Sequence, residues 1–422
     1  MAIEQDVLVV GGGIAGCAAA LAARESGAKV RLVSAKQSTL RNASGLVDVL
    51  GYTPDGDGPL VDPLAAIADL PEGHPYERVG RGAVEEALDL FDEVVDWYRG
   101  DHTRKNALVP TQAGGVKPTA RYPAHTAAGL ASDDRDALLV GFEGLVDFDA
   151  PLAAAHLDAA GAPFDATGVT VAFPRSLKAD AKVTRYATLL DANSEADDGT
   201  PLRAALAEAV KPHLDGQERV GFPAVLGEHE TSEIRAALGE RLGAAVFEVP
   251  MGPPSLPGMR LDRALYDAMD EAGVRITTGN PVVDFEGEER IEAVYVEKNG
   301  QRIPYAAEEF VLATGGLVGK GIDSDREGVE EPIFDLHVPH PADRYDWFET
   351  EAFGDHPFAK FGVDVDRDLR PRTAGGDPAY PNLRAAGGVL GGYDFAAEKS
   401  GSGVSLATGY RAGDRAGQRV KA

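Results

Sequence analysis

Cysteine is almost absent from this chain: among its 422 residues, Cys17 is the single thiol. One thiol excludes an intramolecular disulfide, a cysteine-based zinc site and a self-contained iron–sulfur cluster. Lysine is scarce, accounting for 12 of the 41 cationic residues, and the cations are outnumbered by 68 acidic residues, for a net charge of −27. A surface of that sign repels a phosphate backbone and an anionic lipid headgroup, which argues against nucleic acid and against anionic lipid as direct partners. No run of 18 apolar residues occurs, so a transmembrane helix is excluded. The N-terminal MAIEQDVLVVGGGIAG has neither a basic flank nor a small-residue cleavage site, so it does not read as a signal peptide. What the chain does have is a 44% hydrophobic content, enough for a sizeable core. Its length fits two to three domains, or one large α/β unit with an insertion. An acidic surplus with little lysine suits a salt-filled cytosol, where counterions screen the carboxylates, and the expectation is a halophilic protein.

The opening segment carries the most chemistry. Val7-Leu8-Val9-Val10 reads as a buried strand, Gly11-Gly12-Gly13-Ile14-Ala15-Gly16 as a turn, Cys17 to Ser26 as a helix, and Lys29 to Val33 as a second strand. A G-x-G-x-x-G run acquires meaning only in such a strand–turn–helix–strand unit. Gly11 permits the tight turn, Gly13 lets a phosphate approach the backbone, and Gly16 lets helix and strand pack closely. The helix N-terminus then directs free N–H groups at the anion. The segment predicts nucleotide or flavin binding. One element is missing: the second strand ends Val33-Ser34-Ala35-Lys36, where a dinucleotide site supplies Asp or Glu to the ribose. Ser34 cannot make the bidentate carboxylate contact, which weakens NAD and FAD and leaves room for FMN.

Two further glycine turns lie far downstream. Glu309 to Leu312 reads as a strand ending in Ala313-Thr314-Gly315-Gly316, and in flavoproteins such a turn passes near the cofactor. Asn382 to Tyr393 (NLRAAGGVLGGY) is a strand followed by the pairs Gly387-Gly388 and Gly391-Gly392, after which Ser400 to Ser405 opens a last helix running to about Arg415. The expected fold is α/β: a Rossmann-like flavoprotein of the two-dinucleotide-binding type with a smaller inserted α/β domain. Residues 1–125 and 276–422 would form the flavin domain and 126–275 the insertion. Within these, Val84 to Tyr98 has helical periodicity, Leu108 to Pro123 reads as a polar loop, Leu138 to Val146 as strand-like, and 151–160 as a helix.

The candidate cofactor set is Gly11, Gly12, Gly13, Ile14, Ala15, Gly16, Thr314, Gly315, Gly387, Gly388 and Gly391, with Ser34 added on position and Ser44 and Gly45 as a loop after the second strand. Lys117, between Thr111 and Thr119, is a candidate cation for a reduced flavin, against the reading of a solvated loop lysine. Arg260 and Arg263 could fork a phosphate or simply be helix-surface charge. His74, His102, His125, His337 and His340 lack metal spacing and are read as non-ligands, so no metal site is expected. No catalytic base can be assigned. Cys17 reads as packing.

Nine segments in order, GGGIAG at 11–16, ASGLVDVL at 43–50, HPY at 74–76, GLVDFDAPLAAAHL at 144–157, PPSLPGMRL at 253–261, LATGG at 312–316, EPIFDLHV at 331–338, FGVDVDRDLRP at 361–371 and the glycine-rich 387–405, resemble the B subunits of the anaerobic glycerol-3-phosphate dehydrogenases. The resemblance covers nearly the whole chain. It implies FMN as the flavin, with FAD as the alternative. It also implies a FAD-containing catalytic subunit that oxidises sn-glycerol 3-phosphate to dihydroxyacetone phosphate, and an iron–sulfur, membrane-anchoring subunit that feeds quinone. The implied location is cytoplasmic, on the inner face of the cell membrane through a partner. A self-sufficient FAD oxidoreductase of the fumarate-reductase-like class is the second reading, and a flavin-binding protein without redox turnover the third.

Overall fold

The apolar run Val7 to Val10 forms the end of strand β1 (Ile3–Val10) and is buried throughout. An unbroken apolar strand belongs at the centre of a covered parallel sheet. There β1 lies, between β2 (Val30–Ser34) and the long strand β6 (Gln301–Leu312), both parallel to it. The computed structural model describes residues 2–178, 181–352 and 354–421. The chain divides into two compact units, one of residues 1–39, 48–96 and 262–422, the other of 40–47 and 97–261.

The first unit is built on a seven-stranded sheet. Strand β3 (Arg275–Thr278) pairs in parallel with β2, and β7 (Leu383–Ala385) runs parallel along the end of β6. The other half of β6 pairs antiparallel with β5 (Ala293–Lys298), and β5 with β4 (Val282–Glu286). The alanine-rich helix α1 (Ile14–Glu25) is buried along most of its length and packs against the last helix, α3 (Gly401–Lys421). Gly409, Gly413 and Gly417, spaced by four, share one face of α3. A Cβ on Gly409 or Gly413 would meet the carbonyl oxygens of Ala15 or Ala19, and one on Gly417 would meet Ser26. That face admits no methyl group, so α1 is held at backbone contact distance. Helix α3 continues six residues beyond the expected Arg415.

The helical segment α2 (Pro75–Val94) is broken at Gly80, whose φ of +77 is not helical, so the piece that carries the periodicity expected from Val84 is preceded by a short helical turn. His74 caps it by accepting the Tyr76 N–H at 3.0 Å, and Pro75 occupies the first helical position, where its missing N–H costs nothing.

The second unit has a four-stranded parallel sheet in the order Ala245–Val249, Arg219–Pro223, Ala137–Phe142, Ala166–Val171. Its core includes Leu139, Val140, Phe142, Tyr186 and Phe222, with helix Ala150–Ala159 capped by the Asp149 side chain on the Leu152 N–H. The strand expected over 138–146 stops at Phe142. The expected polar loop at 108–123 contains a hairpin, Ala107–Pro110 against Val116–Thr119. The junctions differ from 125/126 and 275/276. Leu46, Val109 and Tyr122 form a small core of their own, which draws residues 97–125 into the second unit, while helix Leu256–Glu271 carries the chain back to the first. Among the described residues no helix is long and apolar enough to cross a membrane. Nor is there among them a group of three or more His, Cys, Asp or Glu residues that could hold a metal.

Candidate functional site

Three glycine segments meet at the ends of β1, β6 and β7. Gly11 has φ +121, and a Cβ there would meet the Ala313 carbonyl oxygen. A Cβ on Gly16 would meet the Gly11 carbonyl oxygen. Gly316 faces the Gly388 carbonyl oxygen, with 2.6 Å left for a Cβ, and a Cβ on Gly387 would lie 2.6 Å from Ala15 Cβ. Gly315 (φ +85) and Gly387 (φ +77) are in the left-handed region. Thr408 Oγ1 accepts the Gly387 N–H at 2.9 Å. The turns at 11–16, 313–316 and 387–388 are therefore mutual neighbours, although more than 290 residues separate the first from the other two in sequence.

Gly13 stands apart, because a Cβ built on it meets nothing within 4 Å. It is the N-cap of α1, has no side chain to accept the first N–H groups, and no acidic residue follows in the first turn. A helix end with free N–H groups, a positive dipole end and open space above it is suited to an anion. In the neighbouring 313–316 turn, the buried Thr314 Oγ1 has no hydrogen-bond partner among the described residues. The residues present thus fit a phosphate-bearing cofactor through the open cradle at Gly13; the Thr314 hydroxyl lies against Gly321. Ile14 and Ala15 supply N–H groups of the first turn.

The end of β2 is differently furnished. Ser34 is buried and its Oγ donates to the Lys36 carbonyl at 2.6 Å. Tyr266, from helix Leu256–Glu271, donates its hydroxyl to the Gly12 carbonyl at 3.2 Å. A Cβ on Gly12 would meet that hydroxyl and lie 3.0 Å from Ser34 Oγ. Burial, with Cys17 and Asp262 close by, pushes the Tyr266 phenol up. Burial, then Asp262, pushes the Cys17 thiol up in the same way, so this buried cysteine is an inert packing group.

At the N-terminus of α3, Asp48 accepts the Gly403 N–H on its carbonyl at 2.7 Å and the Ser402 hydroxyl on its carboxylate at 3.3 Å. Glu398 is buried and accepts from Ser400 Oγ at 3.1 Å and from the Asp394 N–H at 3.0 Å. Its third donor is His74, whose Nε2 lies 3.1 Å away. Because His74 Nδ1 already accepts the Tyr76 N–H, the ring proton sits on Nε2 and the tautomer is fixed.

Residues 6–404 match the FAD binding domain family. A protein of Halobacterium salinarum, the B subunit of a probable anaerobic glycerol-3-phosphate dehydrogenase, is 64% identical over 424 residues, covering 100% of this chain and 99% of its own length. The chain belongs to this family of B subunits. A more distant member, the B subunit of the anaerobic glycerol-3-phosphate dehydrogenase of Pectobacterium atrosepticum, is 30% identical over 417 residues, covering 96% of each chain. Among solved structures, a 3-ketosteroid Δ1-dehydrogenase of Sterolibacterium denitrificans aligns at a TM-score of 0.45 and 13% identity, over 99% of this chain and 100% of that one.

In this member of the family, the remaining candidates sort by what they touch. Gly391 packs on Gly362, leaving 2.8 Å between a Cβ and the Gly362 carbonyl oxygen. Ser44 and Gly45 belong to the second unit. There Ser44 Oγ receives the Leu46 N–H at 3.4 Å, Gly45 (φ +76) abuts Pro257, and Tyr98 donates to the Gly45 carbonyl at 2.5 Å. Thr111 and Thr119 spend their hydroxyls on Gly115 and Lys117 carbonyls of the hairpin that carries Lys117. Arg260 is not helix-surface charge. It is buried, bonded to Glu248 at 2.7 Å and to the Gly227 carbonyl, and donates to His125 at 2.9 Å. Burial and then Arg260 hold the His125 ring well below the usual range, so it stays neutral. Asp48, Tyr266 and Glu398 are absent from the set expected from sequence. No local sequence signal marks the tyrosine, because the Gly12 carbonyl it bonds lies 254 residues earlier.

Proposed function

We propose that this chain is the flavin-holding B subunit of a quinone-linked glycerol-3-phosphate dehydrogenase and relays electrons while a partner converts sn-glycerol 3-phosphate to dihydroxyacetone phosphate. The observation that carries the reading is the open N-terminus of α1 at Gly13, flanked by the 313–316 and 387–388 turns, in a chain 64% identical to a protein of that name. A bound flavin supplies reversible two-electron chemistry. The chain supplies its seat. The first-turn N–H groups at Gly13–Gly16 would hold its phosphate. Gly11, Gly315, Gly316, Gly387 and Gly388 bring three strand ends together, and these turns would flank the cofactor. Asp48 and Glu398 fix the start of α3. The flavin is FMN in this reading, because Ser34 stands where a carboxylate would hold an adenosine ribose, with FAD the alternative.

Oxidising the C2 alcohol removes two electrons and two protons, and a base beside a phosphate-binding cation would be needed to take the substrate. No base and phosphate-binding cation are assigned together in this chain, and in the second unit Arg260 is spent on Glu248. The substrate is therefore assigned to a FAD-containing catalytic partner. A chain with one cysteine carries no iron–sulfur wire, so an iron–sulfur, membrane-anchoring partner takes the electrons and holds the complex on the inner face of the membrane. A self-sufficient fumarate-reductase-like oxidoreductase is not favoured, since the relatives are named as subunits. The test is steady-state oxidation of glycerol 3-phosphate with a phenazine acceptor. The isolated chain should turn over slowly or not at all, and adding the FAD-containing partner should restore the rate. Full activity from this chain alone would sink the relay.

A further inference from the structure

We propose that Tyr266, together with Ser34, makes the glycine-turn site selective for a flavin mononucleotide by filling the crevice that the adenosine half of a dinucleotide would need. The inference rests on the flavin reading above and deepens it. In a Rossmann-type unit that takes a dinucleotide, the ribose lies between the glycine turn and the end of the second strand, where an acidic side chain binds its hydroxyls. In this chain that position is bounded by Gly12, Ser34 and Tyr266. The Tyr266 hydroxyl donates to the Gly12 carbonyl at 3.2 Å and takes up the space where a Gly12 side chain would be, while Ser34 Oγ closes the same space at 3.0 Å. Ser34 has no hydroxyl proton to offer a ribose, because that proton is on the Lys36 carbonyl. Asn280 donates its N–H to the Ser34 carbonyl at 3.2 Å and pins the strand end in place.

The phenol is held as a neutral donor, since burial and the neighbouring Cys17 and Asp262 all oppose its ionisation. It therefore keeps its bond to Gly12 across the physiological range. The open face lies at Gly13, one residue away, with nothing within 4 Å. A phosphate monoester ends at that face and carries close to two negative charges near neutral pH, which the acid-free first turn of α1 accommodates. A pyrophosphate would have to continue past it to the place occupied by the tyrosine.

The experiment uses the full chain at high salt, stripped of flavin and titrated separately with FMN and FAD by flavin fluorescence. The wild type, Tyr266→Ala, and the double variant Ser34→Glu with Tyr266→Ala are compared. The wild type should prefer FMN by about 100-fold or more. The double variant should narrow that ratio by about 30-fold through tighter FAD binding, from a reopened crevice and a new carboxylate contact. Tyr266→Ala alone should narrow it partway. Equal binding of FMN and FAD by the wild type overturns the inference without touching the flavin reading, and this measurement needs no variant to fold. An unchanged ratio in a double variant that still binds FMN overturns it as well. Failure of the wild type to bind either flavin removes the flavin reading and the inference with it.

Discussion

A Gly13→Val protein should fold as the parent does and yet emerge from purification without yellow flavin. The two halves of that result have separate causes. Gly13 has φ −80 and ψ −177, an extended conformation open to any residue, and a Cβ there meets nothing within 4 Å. The substitution therefore costs the chain little. It does place a branched side chain over the N–H groups of the first turn of α1. A charge-assisted hydrogen bond from such an N–H contributes about 1.5–3 kcal/mol, so losing two weakens binding by about 10²–10⁴-fold. Gly11→Ala is the informative contrast. Its φ of +121 and its contact with the Ala313 carbonyl oxygen make the damage structural, and the melting midpoint of the flavin-free protein should fall. For Gly13→Val that midpoint should match the flavin-free parent. A Gly13→Val protein holding flavin at parental stoichiometry would remove the glycine turn as the anion site.

Thermal stability should climb steeply with salt. The folded chain carries a net charge of −27, which repels itself more strongly than the expanded unfolded chain does. At 0.01 M ionic strength the screening length is about 30 Å and the repulsion acts across most of the fold, whereas at 1 M it is about 3 Å and only adjacent carboxylates feel one another. The melting midpoint should rise by about 10 °C or more between about 0.1 and 3 M KCl. Most of that rise should come below about 1 M, where screening changes fastest. Sucrose, which strengthens burial without screening charge, should reproduce little of it. A flat or falling midpoint would contradict the halophilic reading of the composition.

The parts of this molecule that were legible in the sequence are those where one short segment contains its own cause. Val7 to Val10 is apolar because the strand is buried on both faces, and the spacing of Gly11, Gly13 and Gly16 states a turn, an open cradle and a close approach. The A-T-G-G and Gly387-Gly388 turns could be picked out as strand ends. What brought them together could not, because that depends on β6 and β7 pairing beside β1. The domain junctions fall elsewhere for the same reason: a core made by Leu46, Val109 and Tyr122 has no periodic signature in any one segment. Arg260 resembles surface charge in the sequence because its partners Glu248 and the Gly227 carbonyl lie 12 and 33 residues away. Tyr266 is the sharpest case. Its meaning comes from Gly12, 254 residues earlier, and its helical spacing to Asp262 says nothing of that partner.

The relay account is tested most directly by mixing the flavin-loaded chain with glycerol 3-phosphate under anaerobic conditions and following the yellow absorbance. With this chain alone the absorbance should persist. It should bleach once the FAD-containing partner is added, at a rate that depends on the amount of that partner. Bleaching by glycerol 3-phosphate with no other polypeptide present would contradict the account, and would place substrate oxidation in this chain.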